Sequence, residues 1–277
     1  MPSPEPAPGH PEILRIVAPN PSPMTLGGTN TYVVGSDPAY VVDPGPADEA
    51  HIAAVRAAAE SRGGLGGVLL THAHSDHSEA VGLLGAELLW GSPASWDETA
   101  ALLAAARAAA QGAWPPADAE REPALEERRV GPLTVIPTPG HAADHVAFSL
   151  GAACLCGDLV LGEGSSIVLP AAGGGSLRDY MRSLERLAAI GPDLLCPGHG
   201  PWITDPAAKI AEYAEHRLDR ERRLRAALED GVRSRAALLD AVWDDVPAEL
   251  RPAAGFAMQA HLEKLAAEGV PLDGLVE

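Results

Sequence analysis

Thr71-His72-Ala73-His74-Ser75-Asp76-His77-Ser78-Glu79 gathers three histidines and an aspartate within six positions. It follows an apolar run, Gly67-Val68-Leu69-Leu70, that reads as a buried strand, and leads into Ala80-Val81-Gly82-Leu83-Leu84, which reads as a helix. His72 and His74 are two apart, so an extended backbone sends both imidazoles to one side, where they can chelate one ion. Asp76 and His77 fall where the chain turns and can be aimed at a second ion beside the first. A polar surface loop that happens to collect histidines is the plain alternative. The H-x-H-x-D-H order, with a strand before it and a helix after it, favours the metal.

Other strand ends repeat the theme. Ile13 to Val17, Thr29 to Gly35 and Tyr40 to Val42 read as strands, the last two joined through an Asp37-Pro38 turn and the third ended by Asp43-Pro44-Gly45. Asp48 to Arg62 reads as a helix closed by Gly63-Gly64. Further strands are expected at Glu87 to Trp90, Leu125 to Val130, Leu133 to Ile136, Val146 to Leu150, Ala152 to Cys156 and Leu194 to Cys196. Helices are expected at Trp96 to Ala110 and Ser176 to Ala189. In the Pro-rich loop from Gln111 to Pro123, Trp114 is either a substrate wall or ordinary packing. His141, Asp158 and His199 each stand just past a strand, like the histidine-rich turn. The pattern argues for an α/β fold with packed sheets, helices outside and a site on one rim.

After Asp205 the texture changes. Pro206 to Asp230 reads as a long charged helix, Ser234 to Val242 as a short one capped by Ser234, Pro247 to Glu268 as a third, and Val270 to Val276 as a strand. This order resembles a small winged-helix module. The domain expectation is therefore a disordered, proline-rich lead-in over residues 1–11, a catalytic domain over 12–205 and a winged-helix-like domain over 206–277.

The net charge of -18 over 277 residues would repel a long polyanion unless a local basic patch outweighed it. Residues 215–235 carry seven arginines against five acids, an excess that either touches a phosphate backbone or forms a solvated helix face. Residues 236–277 hold eight acids with only Arg251 and Lys264, which argues against DNA as a partner. Cys154, Cys156 and Cys196 make an odd count and no disulfide framework; the C-x-C pair reads as small buried hydrophobes rather than soft metal ligands. Residues 1–11 have neither a basic nor an apolar signal region, and the alanine-rich run 100–110 is broken by Arg107. A cytoplasmic protein with no membrane span, monomeric or homodimeric, is expected.

His72, His74, Asp76, His77, His141, Asp158 and His199 are about the set that two divalent ions need. Nitrogen and oxygen ligands without thiolate suit two Zn²⁺, with Fe or Mn as alternatives. Thr71 to His77 resembles the signature of the metallo-β-lactamase superfamily. Pro23 to Tyr32, Pro137 to His141, Gly157 to Gly164 and Cys196 to Pro201 are similar to hallmarks of its beta-lactamase-like protein 2 subgroup, as is the winged-helix tail, over roughly residues 12–270. The resemblance implies an αββα sandwich, with His72, His74 and His141 on one zinc, Asp76, His77 and His199 on the other, and Asp158 bridging. It also implies that Asp43 orients the histidine loop, a role compatible with an Asx turn before Pro44. Thr71 and Asn30 are expected beside it, behind the ligands.

The implied reaction is hydrolysis by a metal-bridging hydroxide. Asp76 is a candidate to accept or pass on a proton; His145 is either an acid near the leaving group or a hydrogen-bond partner behind the ligands. β-Lactamases typically lack an aspartate at the position of Asp158, which argues against antibiotic hydrolysis. A small ester, thioester or lactone is the preferred substrate, single-stranded RNA the alternative, and a non-catalytic metal-binding scaffold a third reading. His10, His51, His216 and His261 have no motif around them and are expected at the surface.

Overall fold

The computed structural model describes residues 3–91 and 128–276. The expected helix from Trp96 to Ala110, Trp114 and the first part of the strand expected from Leu125 lie outside the described residues. One sheet runs β1 (Glu5–Ala7), β2 (His10–Val17), β3 (Asn30–Val34), β4 (Ala39–Val42), β5 (Leu65–Leu69), β6 (Leu88–Trp90) in that spatial order. Its first four strands pair antiparallel and β4, β5 and β6 pair parallel. The chain crosses between β4 and β5 through the helix α1 (Glu49–Glu60), whose cap Asp48 accepts a bond from the His51 N–H.

The second sheet has the order β11-β10-β9-β8-β7, built from β7 (Arg128–Val130), β8 (Leu133–Pro137), β9 (Val146–Leu150), β10 (Ala153–Gly157) and β11 (Leu194–Pro197). The helix between β10 and β11 is capped by Ser176 and ends where Gly191 adopts a φ of 64°. A one-turn helix, α2 (Ser75–Ser78), follows β5, so this longer one (Leu177–Ile190) is α3.

Period-two alternation sorts the strand residues into layers. Tyr32, Val34, Val42 and Leu69 meet Val135, Phe148, Leu155 and Cys196 between the sheets. Val33, Val41 and Val68 turn outward onto Ile52, Val55 and Ala59 of α1. Cys154 and Cys156 turn the other way, onto Tyr180, Leu184 and Leu187 of α3. All three cysteines are free and buried, and burial pushes the Cys154 thiol up to about 12. Cys154 and Cys156 are packing residues, as expected, and Cys196 packs between the sheets. The result is the four-layer helix–sheet–sheet–helix sandwich implied by the resemblance.

Three helices follow: α4 (Pro206–Glu229), α5 (Arg235–Val242) and α6 (Arg251–Ala267). Leu224, Leu228, Leu238, Trp243, Met258 and Leu262 form a separate apolar core among them. The first turns of α4, however, put Ile210 and Tyr213 into the α3 face of the sandwich, so one helix serves both cores. Among the described residues no helix is long and apolar enough to cross a membrane.

Several expectations need correction. Residues 5–17 are two paired strands rather than a disordered lead-in. Prolines are tolerated there because β1 is an edge, and tertiary contacts hold it: Ala7 enters the inter-sheet core, while Glu5 pairs with Arg15 and accepts a bond from Trp202 Nε1. Ala80 to Leu84 is only a 3₁₀ turn, Val81–Leu83, in a stretch that contains Gly82 and ends at Gly85, whose φ is 71°. Val270 to Val276 makes a single bridge, Ser234 to Val276, since Pro271 has no N–H and Gly274 turns with a φ of 78°. His51 and His261 are buried, and His216 is half-buried on α4.

Two outcomes test this packing. Phe148→Ala, which empties a fully buried site between the sheets, is expected to cost about 3–5 kcal/mol, read from the shift in the denaturant midpoint. His261 is held neutral by burial and by the cations Arg217 and Lys264, and neither ring nitrogen has a hydrogen-bond partner. Its folded-state pKa is depressed, so below the unfolded value of about 6.5 the unfolded chain takes up a proton that the folded one refuses. Stability should fall as pH drops from about 7 to 5, less steeply in His261→Leu; parallel slopes would refute this.

Candidate metal centre

The seven sequence-expected ligands converge on the rim where β5, β8, β10 and β11 end. His74 Nδ1 lies 2.9 Å from His72 Nε2 and 3.1 Å from His141 Nε2. His199 Nε2 lies 3.2 Å from Asp76 Oδ2 and 3.4 Å from Asp158 Oδ2; His77 Nε2 lies 3.4 Å from Asp76 Oδ2 and 3.5 Å from Asp158 Oδ1. The donor atoms fall into the groups His72/His74/His141, His72/His77/Asp158 and Asp76/His77/His199, each able to hold an ion. A tetrahedral ion with nitrogen ligands at about 2.0–2.1 Å separates them by about 3.3 Å, close to what is seen.

A second observation supports the fit. His77 Nε2 and Asp158 Oδ1 are buried without a hydrogen-bond partner, facing each other across the centre. Buried polar atoms without partners are rare, and an ion would satisfy both. Glycines make the room. A Cβ on Gly198 would stand 2.2 Å from Asp158 Oδ1, and one on Gly157, whose φ is 49°, would stand 2.7 Å from Thr71 Oγ1.

The ring nitrogens turned away from the centre are tied down. His77 Nδ1 donates to Asp43 Oδ2 (2.9 Å), His141 Nδ1 to the Ile167 carbonyl (2.8 Å) and His199 Nδ1 to the Gly28 carbonyl (3.3 Å). Thr71 Oγ1 donates to Asp43 Oδ2 and stands 3.0 Å from His72 Nδ1 as acceptor. These bonds select the tautomer whose Nε2 lone pair points inward. Asp43 also accepts from the Thr71 N–H, and adopts a φ of 52°, a strained conformation for a non-glycine residue. Asn30 donates to the carbonyls of Pro197 and Gly200, which fixes the loop that presents His199.

Electrostatics divide the centre in two. Burial holds the His72 and His74 imidazoles below their ordinary pKa and takes His141 down to about 4, so these rings are neutral. For His77 and His199 burial acts in the same sense, but neighbouring carboxylates outweigh it, raising His77 well above its ordinary value and His199 to about 9. Burial would raise Asp76, yet His77 and His199 bring it down to about 2. Metal uptake by this second group must therefore expel protons.

His145 stands beside Asp158, behind the ligands. It is buried, its Nε2 accepts the Asp158 N–H (3.2 Å), its Nδ1 meets Thr138 Oγ1 (2.8 Å), and burial lowers its pKa to about 3. Both of its ring nitrogens are thus engaged within the chain. Sequence reasoning missed Thr29, whose hydroxyl donates to Asp76 Oδ2 (3.4 Å), although it lies in the quoted Pro23 to Tyr32 segment. It also missed Ser166, 3.2 Å from His141 Nδ1, for which no local signal existed.

The centre opens into a cavity of about 300 Å³. His141 and Asp158 form part of its lining; Leu26 and Leu161 of the sandwich and Trp243, Val246 and Leu250 of the C-terminal helices supply apolar wall. The seven arginines of residues 215–235 form no basic stripe. Arg217 and Arg220 are buried, Arg222, Arg223 and Arg225 pair with acids of the same chain, Arg233 bonds carbonyls, and Arg235 bonds Gln259.

Asp43→Ala would leave His77 Nδ1 and both Thr71 donors without their acceptor. Metal affinity, measured by competition with a chromophoric chelator, is expected to fall about 10–100-fold. An unchanged affinity would show that Asp43 does not orient the centre.

Residues 24–199 match the metallo-beta-lactamase superfamily and residues 234–270 match the beta-lactamase associated winged helix domain. The chain is 32% identical over 273 residues to the Beta-lactamase-like protein 2 homolog of Drosophila melanogaster, covering 93% of this chain and 88% of that protein. It is 34% identical to an Atrochrysone carboxyl ACP thioesterase of Aspergillus chevalieri, covering 82% of this chain and 68% of that one. A crystal structure of a metallo-beta-lactamase family protein from Thermus thermophilus has the same fold at a TM-score of 0.71 and 26% identity, covering 94% of each chain. With the four-layer sandwich, the histidines and aspartates clustered at one rim and these matches together, the chain is a member of the metallo-β-lactamase superfamily of hydrolases.

Proposed function

We propose that the protein is a dinuclear metal-dependent hydrolase acting on a small ester, thioester or lactone. The observation that carries this reading is the shared lining: His141 and Asp158 belong both to the ligand cluster and to the apolar cavity. A volume of about 300 Å³ lies at the small end of ligand pockets and suits an acyl group rather than a polymer. The relative named as an acyl-carrier thioesterase supports a thioester within this class.

His72, His74 and His141 are assigned to one ion, Asp76, His77 and His199 to the other, and Asp158 to both. Two divalent ions, zinc by the ligand chemistry, would supply a hydroxide nucleophile at neutral pH and polarise the carbonyl under attack. The protein's own residues do the rest. Leu161, Trp243, Val246 and Leu250 hold the acyl group and keep bulk water from it. Asp76, whose side chain is 29% exposed against 11% for Asp158, is the carboxylate assigned to take up and return a proton. His145 and Asp43 position ligands without touching substrate. RNA finds no comparable support, because the arginines that would grip a phosphate backbone are already engaged within the chain.

The test is a panel of p-nitrophenyl esters, acyl thioesters and a short single-stranded RNA offered to the zinc-loaded protein. Ester or thioester turnover should appear and should drop in Asp158→Ala by more than the about 10–100-fold typical of residues behind the ligands. Cleavage of RNA with no ester turnover would overturn the reading, and so would turnover that survives removal of the metal.

A further inference from the structure

Two arginines of α4, Arg217 and Arg220, line the cavity that opens from the metal centre, and each is 5% exposed. Their environments differ in one respect. Arg220 is neutralised: its Nη2 lies 2.8 and 2.7 Å from the two oxygens of Asp245, and its Nη1 donates to the Val242 carbonyl. Arg217 has the Ser166 carbonyl as acceptor for Nη2 and the face of Tyr180, 5.3 Å from its guanidinium carbon; its Nε, like that of Arg220, has no hydrogen-bond partner. Among the described residues no carboxylate forms an ion pair with it. Glu163, on the same lining, is exposed and does not reach it. The field of this cation is felt around it. His216 and His261 are held below their ordinary pKa by burial first and by Arg217 next.

An unpaired guanidinium in a largely apolar cavity is an unfavourable arrangement for a folded chain, and an anionic ligand relieves it. We propose that Arg217 recognises a carboxylate carried by the acyl part of the substrate, so that the preferred substrate is an ester or thioester of a short dicarboxylic acid. Resting on the acyl-site reading of the cavity, this adds a charge requirement to it. A planar carboxylate matches the guanidinium fork, and as a monoanion it is the anion most readily desolvated in so small a space. Arg217 also braces the loop that holds His141, because Ser166 supplies a carbonyl to the arginine while its hydroxyl lies 3.2 Å from His141 Nδ1. A purely bracing role would treat charged and neutral acyl groups alike, and that separates the two roles.

The experiment measures binding to the zinc-loaded full chain by calorimetry, with succinate, adipate and suberate set against butanoate, hexanoate and octanoate. The wild-type protein is expected to bind at least one dicarboxylate about tenfold or more tightly than its matched monocarboxylate. In Arg217→Met that ratio should collapse to about one, with Arg217→Lys retaining part of it. Absence of a preference in the wild-type protein overturns the proposal without recourse to any variant. A preference that persists in Arg217→Met, or equal loss for both ligand classes, also overturns it. Since binding needs no turnover, the result is separable from the hydrolase reading. Neutral esters hydrolysed with no dicarboxylate preference would sink only the anion site, whereas a dicarboxylate preference with no ester turnover would sink only the reaction.

Discussion

The Asp43 carboxylate is the contact on which the site depends. Standing at the end of β4 with a left-handed backbone, it takes the Thr71 N–H at 2.7 Å, the Thr71 hydroxyl at 2.8 Å and His77 Nδ1 at 2.9 Å. These three bonds register the histidine-bearing turn against the neighbouring parallel strand. Through Thr71 they reach His72, and through His77 they reach both carboxylates of the centre. Backbone strain at a non-glycine residue persists where surrounding bonds over-determine it, and a buried carboxylate with three donors meets that condition.

The centre is a concentration of buried polar groups that the fold tolerates for a reason. Three imidazoles kept neutral by burial offer lone pairs to one position, and imidazoles matched with carboxylates surround the other. His77 Nε2 and Asp158 Oδ1 face each other at 3.5 Å, each buried without a hydrogen-bond partner, and a cation between them would satisfy both. The two sheets bring the groups together, since β5 ends in the first sheet and β8, β10 and β11 end in the second. Neither sheet carries the full set.

The C-terminal helices complete the cleft from the other side. Because α4 begins in the sandwich core at Ile210 and ends in the helical core at Leu228, the two bodies share a rigid element. Trp243, Val246 and Leu250 then stand over the opening of the metal centre, and Arg217 of the shared helix belongs to the same lining. The winged helix here is a wall of the cleft. The arginines of α4, bound by Glu215, Asp244, Asp245 and Glu268, are held in the chain's own ion pairs.

The amino-acid sequence by itself marked the candidate ligands, because H-x-H-x-D-H after an apolar strand carries its geometry in local spacing, and His141, Asp158 and His199 repeat the strand-end position. It also determined the strand alternation and the helix caps at Asp48, Ser176 and Ser234, which are short-range effects. Only the tertiary structure decided what depends on residues far apart in the chain. Ser166 reaches His141 across 25 positions, and Asn30 reaches the His199 loop across 167. The order of residues 5–11 rests on an edge pairing with β2 and on Trp202, nearly two hundred positions away. His51 and His261 were misplaced at the surface for the same reason, since burial of a lone histidine is set by what packs over it. The fate of the seven arginines was equally invisible, because a charged run reads alike whether its partners are solvent, phosphate or acids brought alongside by folding.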